Sequence, residues 1–175
     1  KVHTTYGVKE LQELEITLSK NRDANVLLVG DDEAGKLEII SNLYTMIETG
    51  SAISSIQNKR LIVLDTDRFT ASNGSKKKKK KEFINMMIEA INAGNIILVI
   101  DDIPTLMASA DSFGVNLPAL LEEYLASPSL QVIALSDNTR FHETIERNTV
   151  LTERFEIILI KEIDESNAVK VLQNE

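Results

Sequence analysis

The sequence predicts an α/β fold, a three-layer sandwich built on a five-stranded, mostly parallel sheet. Three observations point there. Short apolar runs alternate along the chain with segments of helical periodicity. The apolar runs are uniformly hydrophobic instead of alternating, the pattern of strands covered on both faces. The first run ends in a glycine-rich turn with phosphate-loop spacing, Gly30 to Lys36, followed at once by a helix-period segment.

Taken in order, Val8, Leu11, Leu14 and Leu18 recur at helical spacing and predict an amphipathic helix over 7–20. Val26–Val29 is the first strand. Ile39, Ile40, Leu43 and Ile47 give one apolar side to a helix over 36–49. Leu61–Leu64 is the second strand, and the polar stretch 66–81 reads as a loop. It contains the run Lys76–Lys81, whose repelling like charges predict a solvated, disordered segment, with an anion- or nucleic-acid-binding loop as the alternative. A helix rich in Ile and Met follows over 82–93, then a third strand, Ile96–Ile100, a helix over 115–126, and strands at 131–135 and 156–160. The last ten residues begin a further helix. The chain starts at Lys1 and ends inside this helix, which reads as a piece of a longer protein.

Composition narrows the function classes. The 175 residues suit one domain with a sizeable core, and a hydrophobic share of 43% is that of a globular chain. The absence of cysteine excludes disulfides and thiolate metal sites, and the two histidines, His3 and His142, are too few and too far apart for a histidine metal centre. No apolar run approaches the roughly 18 residues of a membrane span, and the polar N-terminus is unlike a secretory signal, so a cytoplasmic setting is expected. The net charge is −8. Setting aside the six lysines of 76–81 leaves 13 basic residues against 27 acidic ones, a net of −14. So acidic a body argues against a broad nucleic-acid surface.

Parallel sheets bind ligands beyond the carboxyl ends of their strands, so the chemistry is expected after Val29, Ile100 and Leu135. Gly30-Asp31-Asp32-Glu33-Ala34-Gly35-Lys36-Leu37 has the spacing G-x-x-x-x-G-K, in which backbone N–H groups and a helix N-terminus cradle phosphates and the lysine reaches the outer ones. Gly30, Gly35 and Lys36 suit that role. Leu37 stands where a Ser or Thr hydroxyl would ligate Mg²⁺, and three carboxylates lie inside the loop. An ordinary strand–turn–helix junction fits the same spacing. The third strand ends in Asp101-Asp102. The first acid suits a Mg²⁺ ion held with a nucleotide, the second an acid that orients water; equally, the pair could cap the segment starting at Ile103-Pro104.

These segments, in this order, resemble the first ATPase module of Clp-type AAA+ unfoldases over nearly the whole chain. Tyr6-Gly7 before an amphipathic helix resembles the adenine-side segment. Asn25–Gly30 resembles the strand into the phosphate loop, Lys59–Asp65 the second strand, Glu82-Phe83 the helix after the pore loop, Ile100–Leu106 the Walker B segment, and Leu151-Thr152-Glu153-Arg154-Phe155 the arginine-finger segment. The resemblance implies a phosphate-loop NTPase fold with the phosphate-loop strand near the sheet centre. It also implies ATP or ADP with Mg²⁺ as cofactors, a ring of usually six copies with nucleotide between neighbours, and polypeptide substrates. Residues 1–163 would form the large nucleotide-binding subdomain and 164–175 the start of a helical lid.

Carried over residue by residue, Tyr6, Gly7, Gly30, Gly35, Lys36 and Leu37 fall at nucleotide-binding positions and Asp101 at the metal position. Asp102, Ser136 and Arg154 fall at catalytic positions. Asp102 replaces a Glu one methylene longer, and misplacing such a group by about 1 Å can cost about 10²-fold in rate. Ser136 is the sensor residue, with Asp137 where the family has Thr. Glu153 replaces the first of two finger arginines, while Arg154 remains, as a finger or as a surface ion-pair partner. The pore loop lacks its aromatic; Phe69 lies earlier. The altered positions act on one step and favour a degenerate ATPase that serves a ring structurally. A working ATPase and a non-enzymatic scaffold or adaptor are the alternatives.

Overall fold

The computed structural model describes residues 7–125 and 128–161. Tyr6 and the expected lid segment 164–175 lie outside the described residues. The elements run α1 (Val8–Leu18), β1 (Val26–Val29), α2 (Glu33–Glu48), β2 (Arg60–Leu64), α3 (Thr66–Ala71), α4 (Lys76–Ala93), β3 (Ile96–Ile100), α5 (Ile103–Ser112), α6 (Leu117–Leu125), β4 (Leu130–Ser136), α7 (Asn138–Arg140) passing into a π-helical turn over Phe141–Ile145, α8 (Thr149–Arg154) and β5 (Glu156–Leu159). All five strands are parallel, in the order β2-β3-β4-β1-β5. β4 is central and β1 lies beside it.

The uniform apolarity of the strands has a direct cause. Successive side chains point to opposite faces, and each face has its own core. Leu27, Val29, Leu98, Ile100, Val132 and Ala134 join Phe83, Met87, Leu106, Leu121, Phe141 and Leu151 on one side. Val26, Leu28, Ile97, Val99, Ile133 and Leu135 join Leu14, Leu18, Ile39, Leu43 and Ile47 of α1 and α2 on the other. The register keeps like with like: Val99 pairs with Ile133 and Ile100 with Ala134. Each of the larger side chains among them (Val, Leu, Ile, Met and Phe), fully buried, contributes about 1.5–3 kcal/mol of transfer free energy.

Several helical segments differ from the sequence expectation, among them α7 with its π-helical turn and α8, which it did not include. The lysine run is helical: Lys76–Lys81 form the first turns of α4, and the loop expected over 66–81 shrinks to a few residues between α3 and α4. Mutual repulsion and the positive end of the helix oppose this. The Ser75 hydroxyl, accepting from Lys78 N at 3.2 Å, and the burial of Phe83, Met87 and Ala90 further along outweigh it. α3 and α5 follow strand ends where an aspartate caps the new helix: Asp65 accepts from Arg68 N and Asp102 from Thr105 N. α5 also carries a proline in its first turn, a position that favours helix initiation. α2 starts three residues earlier than expected, at Glu33, because Asp32 caps it.

Candidate functional site

The carboxyl edge of the sheet is built from helix caps. Asp32 after β1, Asp65 after β2, Asp102 after β3 and Asp137 after β4 each accept the backbone N–H three residues on. Each strand there hands over to a helix whose first N–H groups need acceptors. The acids therefore concentrate at the edge where a parallel sheet binds ligands. A cleft of about 240 Å³ opens there, lined by Asp31, Glu33, Lys36, Asp67, Asp101, Asp102, Leu135, Ser136, Asp137 and Arg140. Six carboxylates face two cations.

Lys36 is buried, 6% exposed. Its ammonium donates to the Gly30 carbonyl at 2.6 Å and the Ser136 carbonyl at 3.0 Å, tying the end of β1 to that of β4. Burial lowers its pKa, partly offset by the carboxylates of Asp137, Glu33, Asp102 and Asp31. The Gly35 N–H, which in a phosphate-binding loop would face phosphate, donates to the Asp32 carboxylate at 3.0 Å, and Lys36 N donates to the Asp32 carbonyl at 3.1 Å. Asp31 accepts from Asn138 N at 3.0 Å, crossing from the loop to α7. Neither Gly30 nor Gly35 has positive φ. Gly30 is instead closely packed: a Cβ there would lie 3.0 Å from the Cβ of Ile160, which would have to give way by a few tenths of an ångström. Leu37 is 45% exposed and offers no ligand atom.

At the end of β3, Asp101 accepts from Thr66 N at 3.0 Å, and Asp102 accepts from both the N–H and the hydroxyl of Thr105. The cap reading of Asp102 thus holds while its side chain still lines the cleft. Arg140, absent from the sequence expectation, organises this wall. Its guanidinium reaches both oxygens of Asp102 (3.1 and 3.2 Å), the Thr105 hydroxyl (2.7 Å) and Asp137 (2.5 Å). Burial works against the charge of Arg140, but hydrogen bonds to Asp137 and Asp102 prevail and raise its pKa. At Asp137 burial pushes the pKa up, yet the hydrogen bonds and charge of Arg140, with Lys36, bring it below the ordinary value. The only local signal was the spacing Asp137-x-x-Arg140 at a helix start. The Ser136 hydroxyl donates to its neighbour's carbonyl, Asp137 O, at 2.9 Å.

Lys36, Asp101, Asp102 and Ser136 therefore converge on one cleft, with Gly30, Gly35 and Leu37 in its loop. Gly7 does not line it; with φ 78° it caps α1 and packs toward Ile39. Arg154 lies at the opposite end of the sheet, just before β5, paired with Asp23 at 3.1 Å. Among the described residues no group of three metal-ligating side chains is placed to hold a metal ion, and no helix is long and apolar enough to cross a membrane.

No protein-family model matches the chain. It is 29% identical to the chaperone protein ClpB of Helicobacter hepaticus, over 95% of this chain and 19% of that protein. It is 29% identical to the chloroplastic chaperone ClpD of Arabidopsis thaliana (94% and 18%), and 27% identical to the competence regulator ClpC/MecB of Bacillus subtilis (94% and 20%). The chain thus spans about a fifth of the length of these relatives. Among solved structures it superposes on the S. cerevisiae Hsp104–ADP complex with a TM-score of 0.79, at 23% identity, over 95% of this chain and 29% of that one. Similarity over nearly the whole chain to several Clp proteins makes this chain a homologue of the Clp AAA+ chaperone ATPases, and its five-stranded parallel sheet has the fold of a part of Hsp104.

Proposed function

We propose that this chain is a degenerate AAA+ module with weak or lost ATP hydrolysis, acting as a structural or nucleotide-sensing part of a ring in a protein-remodelling machine. The observation that carries the reading is the phosphate loop occupied by its own acid: the Asp32 carboxylate takes the Gly35 N–H at the start of α2. An anion is favoured at that helix end, and a tethered carboxylate competes with phosphate for the same donors. The rest of the cleft supports it. Leu37 supplies no hydroxyl for Mg²⁺, Asp102 is engaged by Arg140 and Thr105, and six carboxylates repel a polyphosphate. The residues present do not fit a Mg²⁺–triphosphate in this arrangement. In the reading, residues 164–175 open a helical lid, and Arg154 contacts the next subunit in place of its own cleft.

Calorimetric titration with ATP and ADP, with and without Mg²⁺, tests this. The expected result is no saturable binding below about 1 mM. Tight binding abolished by Lys36→Ala would refute the closed-loop reading. A second reading, a working ATPase, is favoured by one observation: Lys36, Asp101 and Asp102 line the same cleft. Phosphate release lost in Lys36→Ala would decide for it.

A further inference from the structure

The guanidinium of Arg140 lies between the ends of β3 and β4 and is surrounded by oxygen. One terminal nitrogen, Nη1, faces Asp102 Oδ1 and the Thr105 hydroxyl; the other, Nη2, faces Asp102 Oδ2; Nε faces Asp137 Oδ2. Two carboxylates and a hydroxyl are the donor set of a hard divalent cation, which takes its ligands from acids, neutral oxygens and water. Here a side chain of the protein itself fills the centre of that set. Its hold is fixed from both sides. The Arg140 backbone N–H donates to Asp137 Oδ1 at 2.7 Å, so one acid orders both the main chain and the side chain of the same residue. Phe141 and Ile145 of the following π-helical turn are buried and anchor the backbone. On the other side, the Thr105 N–H and hydroxyl hold Asp102. An arginine keeps its charge throughout the pH range of a folded protein, and its planar fork matches both oxygens of one carboxylate.

We propose that Arg140 is the built-in cation of this cleft: its guanidinium takes the place between Asp102 and Asp137 that a divalent metal ion would otherwise fill, and makes the cleft independent of metal. The inference rests on the degenerate-module reading above and deepens it, because it names the side chain that keeps the ion out. Leu37 removes one possible ligand, whereas Arg140 engages two carboxylates at once. The two cations exclude each other, since a metal ion within about 4 Å of the guanidinium would be repelled, and both acids are already engaged. Persistence differs as well. An ion that arrives with a nucleotide leaves with it; a tethered cation remains, and keeps the end of β3 joined to the start of α7 in every state of the module. Lys36 does not take this role: its ammonium is committed to the carbonyls of Gly30 and Ser136.

Binding of Mn²⁺, a spectroscopic substitute for Mg²⁺, tests this on the nucleotide-free chain. Electron paramagnetic resonance measures the free ion, and circular dichroism shows each variant folded. Arg140→Met should bind Mn²⁺ with a Kd on the order of 0.1–1 mM, the weak end of carboxylate sites, and roughly ten-fold or more tightly than wild type. Mg²⁺ should displace it. Arg140→Gln, neutral and of a different shape, should gain the same site and guards against a first variant that fails to fold. Arg140→Met/Asp137→Asn lacks one of the two acids and should lose the gain. Wild type that binds Mn²⁺ as tightly as Arg140→Met, folded neutral variants that gain nothing, or a gain that survives Asp137→Asn would each overturn the proposal. ATP titration of wild type, with and without Mg²⁺, separates the two readings. Tight ATP binding without metal refutes the closed loop and keeps the built-in cation; Mn²⁺ taken up by wild type as by Arg140→Met refutes the built-in cation and keeps the closed loop.

Discussion

Replacing Arg140 with methionine keeps its aliphatic stem and removes the charge that joins Asp102 and Asp137 in the cleft and Thr105 beside it. The loss can be worked from the contacts. Arg140 holds both oxygens of Asp102 and one of Asp137, side chains that are 29% and 28% exposed, while its own is 42% exposed. Part-exposed pairs contribute up to about 1 kcal/mol each. Two such pairs, plus the repulsion between carboxylates left facing each other, give about 2 kcal/mol. Urea unfolding at pH 7 should show this as a midpoint lowered by about 1 M for a slope near 2 kcal/mol/M. The pH dependence has a definite sign. The pKa of Asp137 in the folded state lies below its ordinary 3.8, so its contribution is complete above that value and is lost as pH falls through the lowered one. The deficit of Arg140→Met should therefore shrink in acid. A double-mutant cycle with Asp137→Asn should return a coupling of about 0.5–1 kcal/mol. A coupling of zero, or a deficit unchanged into strong acid, would refute the network.

Two further substitutions probe other layers of the structure. Lys36→Met removes a buried ammonium whose pKa is lowered by burial, so wild type gains stability relative to the variant as pH rises from that lowered value toward 10.5; unfolding curves at several alkaline pH values that run parallel for both proteins would contradict this. Phe83→Ala empties a site 2% exposed that packs edge-on to Phe69 at 6.0 Å, and should cost about 3–5 kcal/mol in chemical denaturation, a loss under 1 kcal/mol meaning that α4 is not anchored there.

All five strands are legible in the sequence to within about a residue as short apolar runs; β1, β3 and β4 are buried on both faces, whereas the edge strands β2 and β5 leave Ile62, Val63, Ile157 and Leu159 exposed and so depart from the expected burial. The helices show less plainly. α3 has six residues and no apolar stripe long enough to register a period; its start is set by Asp65, whose role emerges only once β2 ends beside it. α5 carries signals, an aspartate cap, a proline in the first turn, and Leu106 and Ala110 four apart, and the sequence allows Asp102 as a cap, but ten residues with one such pair do not set a helical period by themselves. The lysine run read as disorder because local repulsion is visible in sequence while the distant packing of Phe83 and Met87 is not. At the site, Lys36 is singled out by loop spacing, Asp101 and Asp102 by their place at a strand end and Ser136 by the family resemblance, and the structure puts all four on one cleft. Arg140 is not singled out, since its partners at Asp102 and Thr105 lie 38 and 35 positions away.

The lysine-rich start of α4 turns one stretch of helix into a gauge of its own winding. Trypsin cuts after lysine but needs an extended strand in its active site, so the bonds after Lys76–Lys81 become substrates only while those turns are unwound. How often they unwind depends on the balance between mutual repulsion and the Ser75 cap. Added salt weakens the repulsion and leaves the cap in place. Digestion at this one segment should therefore slow as ionic strength rises, the reverse of the ion pairs of Arg140, which salt weakens, and the two ionic effects in this chain can be told apart in a single salt series.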